Sequence, residues 1–128
     1  MKICISANSN DLNEAILDPR FGRCQYFLII NEKGELIKAI KNPGAETFRG
    51  AGILAAQVVA REKVDVVITG NIGPHAFMLL KNLGIKIFLG NFGMSVQEIF
   101  KDYQKGKLKE ITFDFGKDNY NSHIPFNN

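Results

Sequence analysis

The chain has 128 residues, of which 45% are hydrophobic and 23% charged, and carries a formal net charge of +3. This length fits one domain with a real core, and the composition is that of a folded chain rather than a disordered one. So mild a charge suits a small anionic ligand and argues against nucleic acid, which calls for a dense basic face, and no apolar run approaches the length of a membrane span.

The N-terminal Met1-Lys2-Ile3-Cys4-Ile5 goes straight into a strand pattern without the layout of a signal peptide. Cys4 and Cys24 form no C-x-x-C pair, so a reduced, cytoplasmic setting is expected. The first strand is expected over residues 2–7. Residues 8–23 form a loop rich in Asn, Asp and Arg, broken by Pro19 and Gly22, with room for a short helical turn near 13–16. An apolar run over 24–31 reads as a second strand. Asn31-Glu32-Lys33-Gly34 is a hairpin turn, and residues 35–41 return antiparallel. Asn42-Pro43-Gly44 opens a loop that runs to Arg49.

A helix is expected over 50–63, apolar around most of its circumference and therefore buried on more than one side. Residues 64–69 form a strand without alternation, as expected where both faces are covered. Gly70-Asn71-Ile72-Gly73 then turns the chain into a second helix over 74–83, with Pro74 at its first position and Gly84 as its stop. A further strand spans 85–89. The third helix, 95–104, carries Val96, Ile99, Phe100 and Tyr103 on one stripe, and Ser95 with Glu98 reads as a capping box. Beyond Lys105 the texture turns polar. One edge strand is expected over 110–115 and a weakly ordered tail over 114–128, which leaves the domain at 1–113.

Helices linking the later strands force parallel crossovers, and the hairpin adds antiparallel strands. The expected fold is therefore α/β, a mixed sheet with helices on both faces. Ligands in such sheets bind beyond the carboxyl ends of the parallel strands, where the loops 8–23, 70–73 and 90–94 converge.

Three stretches there could carry chemistry. Arg20-Phe21-Gly22-Arg23-Cys24 places two guanidinium forks beside a thiol. Arginine suits carboxylate, phosphate or an anionic cluster, and a neighbouring cation makes a thiol a better ligand. An arginine in so open a loop is expected to add under about 1 kcal/mol to stability. The alternative reading turns Cys24 into the core as a small hydrophobe. Cys4, in a central strand, reads as a core thiol. His75, in the first turn of the second helix, is a candidate metal ligand because the helix dipole disfavours its protonated form; the alternative is a surface histidine. Gly50-Ala51-Gly52 is a bare helix start able to approach a ligand. It has the letters of a dinucleotide fingerprint, but no strand immediately precedes it. P-loop, nucleophile-elbow and zinc-protease signatures are absent from the sequence, so a binding module fits better than an enzyme.

Residues 18–27 (DPRFGRCQYF), 42–57 (NPGAETFRGAGILAAQ), 64–77 (VDVVITGNIGPHAF) and 84–90, followed by 95–98 and 106–108, together resemble the dinitrogenase iron–molybdenum cofactor biosynthesis family. This is the group of NifX- and NafY-like cofactor carriers and NifB C-terminal-like domains. The resemblance implies a three-layer α/β/α fold with a mixed five-stranded sheet and a ribonuclease-H-like motif. It also implies binding and transfer of an iron–sulfur or iron–molybdenum-type cluster, with donor and acceptor proteins as partners. By position, Arg20, Phe21, Gly22, Arg23, Gly50, Gly52, Gly70, Asn71 and Gly73 would surround the cluster, with Cys24 and His75 as metal ligands. A monomer or a homodimer sharing a cluster fits equally. Two other functions use the same features: an enzyme or sensor for a phosphorylated or carboxylated metabolite, and a scaffold that binds a partner through its hairpin edge.

Overall fold

A computed structural model describes residues 1–112. Six strands and three α-helices follow one another as β1 (Lys2–Ala7), β2 (Tyr26–Asn31), β3 (Leu36–Lys41), α1 (Ala51–Arg61), β4 (Val66–Thr69), α2 (Pro74–Asn82), β5 (Lys86–Leu89), α3 (Val96–Gln104) and β6 (Lys109–Glu110). A short 3₁₀ turn, Pro43–Glu46, precedes α1. The strands form one sheet in the order β3-β2-β1-β4-β5-β6. β1, β4 and β5 are parallel, while β2, β3 and β6 are antiparallel to their neighbours. This is the ribonuclease-H-like arrangement, with one short strand more than the expected five. β6 adds to the β5 edge because Lys109 and Glu110 pair with Leu89 and Phe88. The rest of the expected 110–115 strand, beyond its first positions, and the 114–128 tail lie outside the described residues.

The apolar strands lack alternation for a physical reason: both faces are packed. On β1, β2 and β4, Cys4, Phe27, Ile29 and Val67 join Ala55, Val59, Phe77 and Leu80 of α1 and α2 on one face. Their neighbours Ile3, Ile5, Leu28, Ile30, Val66 and Ile68 join Val96, Ile99 and Phe100 of α3 on the other. The period of two along each strand thus sorts consecutive residues into two cores.

Element ends follow local chemistry. The Ser95 hydroxyl accepts from the Glu98 N–H at 3.1 Å, and Glu98 Oε1 accepts from the Ser95 N–H at 3.1 Å, which completes the expected capping box. α1 is shorter than the expected 50–63. Gly50 is its N-cap at φ 71, and Lys63 turns left-handed beyond its end. The helical turn in the first loop closes on Asp11, slightly earlier than expected, through the Glu14 and Ala15 N–H groups. Among the described residues, no helix is long and apolar enough to cross a membrane.

Candidate functional site

β1 and β4 are parallel neighbours, so the turns that follow them leave the sheet at the same rim. The loop after β1 is drawn across that rim by hydrogen bonds. The Ser6 hydroxyl donates to the Asp18 carbonyl at 2.6 Å and lies 2.8 Å from the Thr69 hydroxyl. The Asn71 N–H donates to the Pro19 carbonyl, and the Phe21 N–H donates to the Asn71 carbonyl at 3.1 Å. Arg20 and Asn71 are thereby bridged in parallel. The contact is close enough to require glycine. A Cβ on Gly70 would lie 2.7 Å from Pro19 Cα, and a Cβ on Gly22 would lie 3.0 Å from the Gly52 nitrogen. The structure therefore brings Arg20–Arg23, Gly50–Gly52 and Gly70–Gly73 into one contiguous assembly.

Where Gly50–Gly52 meets the start of α2 lies a cleft of about 160 Å³ lined by Gly50, Ala51, Gly52, Ile53, Pro74, His75 and Ala76, and neither 20–23 nor 70–73 lines it. Its walls are the first turns of α1 and α2. First-turn N–H groups have no acceptor within their own helix, and both dipoles present their positive ends there. Neither N-cap, Gly50 or Gly73, supplies a side-chain cap. His75 is exposed on the cleft wall. The arrangement suits a compact anion gripped by backbone donors, with one imidazole in reach as ligand or hydrogen-bond partner.

The remaining expected site residues are placed otherwise. Cys24 is fully buried among Phe21, Phe27 and the α1 and α2 side chains. Burial pushes its thiol well above the ordinary range, and the Asp18 charge adds to the shift. The expectation of an activated thiolate ligand is corrected by that desolvation, and the core-thiol alternative describes the residue as it stands. Cys4 is also buried, with its thiol raised chiefly by desolvation. The Phe21 ring is buried too and packs 5.1 Å from the Phe27 ring, so it contributes to the site through its backbone position only.

The two arginines have separate tasks. Arg20 chelates Asp18 through Nε and an Nη, both at 3.2 Å, and keeps its side chain 57% exposed. Arg23 is half-buried. Its Nη1 donates to the carbonyls of Gly44 and Thr47, and its Nη2 reaches the Phe48 carbonyl at 3.5 Å. The expected free anion-binding charge is thus a clamp on the 43–48 segment, because three carbonyls converge on its fork.

Asn42 escaped the reading of the sequence. It is buried; its amide donates to the carbonyls of Gly22 and Cys24 at 3.1 and 2.9 Å and its oxygen accepts from the Gly44 N–H. The Asn-Pro-Gly signal announced the local turn, though not the long-range bonds. Just before the cleft, Phe48 is 86% exposed with the Arg49 guanidinium 5.5 Å from its ring. Among the described residues, no group of three His, Cys, Asp or Glu side chains could hold a metal ion.

Fold and site together define an α/β protein with a cleft, walled by two helix N-termini, at the carboxyl rim of its parallel strands. The model of the dinitrogenase iron–molybdenum cofactor family matches residues 1–106, and the chain belongs to that family. It is 34% identical over 114 residues to the uncharacterized protein MJ0580 of Methanocaldococcus jannaschii, a match covering 87% of this chain and 92% of that one. Among solved structures it is similar to the apo form of the orange protein of Desulfovibrio gigas. That match has 30% identity and a TM-score of 0.79, covering 86% of this chain and 92% of the other. It is also similar to a NifB-like Thermotoga protein of the DUF35 family, with 28% identity and a TM-score of 0.73, covering 88% of this chain and 96% of the other.

Proposed function

We propose that the protein is a carrier that holds an iron–sulfur or iron–molybdenum-type cluster as cargo in cofactor biosynthesis or transfer, and is not a catalyst. The observation that carries this reading is the cleft itself, where two glycine-started helix N-termini meet beside His75. Clusters rich in sulfide are anionic, and N–H donors to sulfur are a standard way to stabilise them. Family membership supports the cofactor connection. The similar orange protein was solved as an apo form, which names it as a protein with something to bind.

With both thiols buried, the grip falls to backbone N–H groups and the His75 imidazole. The cargo then brings most of its own ligands, and release costs few bonds. That suits transfer from a donor protein to an acceptor better than permanent redox service. A cluster-sized guest fits the wall of the cleft only if it stays partly exposed, and a partner could reach it there.

A second reading, an anionic metabolite in the same cleft, is favoured by the small volume of about 160 Å³. Anaerobic thermal shift separates the two. A preformed sulfide-bridged cluster is expected to raise the melting temperature at stoichiometric amounts, whereas phosphate or a dicarboxylate leaves it unchanged. Stabilisation by phosphate alone would move the assignment to the metabolite.

A further inference from the structure

The hairpin turn between β2 and β3 meets α3 on the sheet face opposite the one packed by α1 and α2. Gly34 closes that turn at φ 83 and lies against the Phe100 ring, since a Cβ there would come within 2.7 Å of Phe100 Cε2. Beside this contact is a cavity of about 310 Å³. Its floor is apolar, made by the buried Ile30, Val96 and Phe100 with the half-buried Leu12. Its exposed lining is Lys33 of the turn and Gln97, Lys101 and Gln104 of α3. The last three stand at i, i+4 and i+7, which is one stripe of a helix.

Among the described residues no carboxylate lines this cavity, and neither Lys33 nor Lys101 joins an ion pair. The acids close by in sequence are committed elsewhere. Glu32 accepts from the N-terminal ammonium at 3.0 Å, Glu35 from the Asn31 amide at 2.9 Å, and Glu98 from the Ser95 N–H in the capping box. Lys101 acts on the Glu98 carboxyl less than that cap does. Two ammonium groups thus border an apolar floor without a counter-charge. Gln97 and Gln104 hold their amide nitrogens in long hydrogen bonds of 3.5 and 3.4 Å, which a better acceptor can displace. An apolar floor with a few polar groups around it is the usual make-up of a small-molecule site, and the volume lies at the lower end of that range.

We propose that this cavity binds a small amphipathic anion, with an aromatic or aliphatic body on Ile30, Val96 and Phe100 and an acidic head at Lys33 and Lys101. The site lies across the sheet from the α1–α2 cleft and does not depend on the cargo held there.

Anilinonaphthalene sulfonate serves as the probe, and its uncharged counterpart phenylnaphthylamine as the comparison. Titrating the full-length protein with the sulfonate is expected to give saturable shifts in the amide proton–nitrogen spectrum at Lys33, Gly34, Gln97, Lys101 and Gln104. The double variant Lys33→Glu, Lys101→Glu changes exposed positions only. It is expected to keep the native spectrum elsewhere, to bind the sulfonate about tenfold more weakly and to bind phenylnaphthylamine as before. Lys33→Gln and Lys101→Gln, which remove a charge and add none, are each expected to weaken the sulfonate about threefold. The proposal is overturned if the sulfonate gives no saturable shifts, if the shifts gather at the α1–α2 cleft or elsewhere, or if the lysine variants bind it as the native chain does.

Discussion

Arg23 shows how a side chain's partners decide its role. In sequence it is one of two cations flanking Phe-Gly; in the structure its fork gathers the carbonyls of Gly44, Thr47 and Phe48. Hydrogen bonds from a charged donor contribute more than neutral ones, so Arg23→Ala is expected to cost about 1–3 kcal/mol in urea unfolding, and Arg23→Lys to recover little of it. A loss below about 0.5 kcal/mol would return Arg23 to the role of an open charge. Cys24 and Cys4 make a second residue-scale case. Their buried thiols are held protonated, with folded values raised above the unfolded one. A group raised in this way lends its full stability below its unfolded value, about 8.5 for a thiol, and loses it as the pH climbs toward the folded value. The urea midpoint is therefore expected to fall between about pH 8 and pH 10, and to fall less in Cys24→Ala. An equal fall in both proteins would remove Cys24 from the account. Cys4 was legible as a core thiol from its place in a central strand, whereas the placements of Arg23 and Cys24 were not legible locally. The pattern gives the loop, but the direction a loop side chain turns depends on partners far along the chain.

At the scale of elements the sequence was far more legible. The stripe Val96, Ile99, Phe100, the capping box at Ser95 and the both-face burial of β4 follow from periodicity and cap chemistry that need no distant contact. Ser95→Ala is expected to cost about 1 kcal/mol, read as a lower urea midpoint with unchanged slope. α1 and α2 begin differently, with Gly50 and Gly73 and no side-chain cap at either. A helix that forgoes its cap gives up stability, and here both uncapped ends face one cleft. The convergence of the loops at the carboxyl rim could be anticipated from topology alone. The stitching of Pro19 to Asn71, and Asn42 as the buried hub of the neighbouring loop, could not, because these bonds join segments that only the finished sheet brings together.

For the whole molecule, the two rims of the sheet differ: the carboxyl rim carries the cleft and His75, and the opposite rim an apolar groove beside Leu83. Two packed faces make the sheet a rigid platform for the helix starts that wall the cleft. The central claim is that backbone donors and an imidazole hold an anionic cluster there, and that neither thiol does. The most direct measurement is anaerobic gel filtration with a preformed cluster, followed by metal and sulfide analysis of the protein peak, for the native chain, His75→Asp and Cys24→Ala. Aspartate in the first turn of α2 suits the helix dipole, so that variant is expected to fold while placing a negative charge on the cleft wall. The account predicts stoichiometric metal on the native chain and on Cys24→Ala, and loss of metal from His75→Asp. Metal retained by His75→Asp and lost from Cys24→Ala would contradict it.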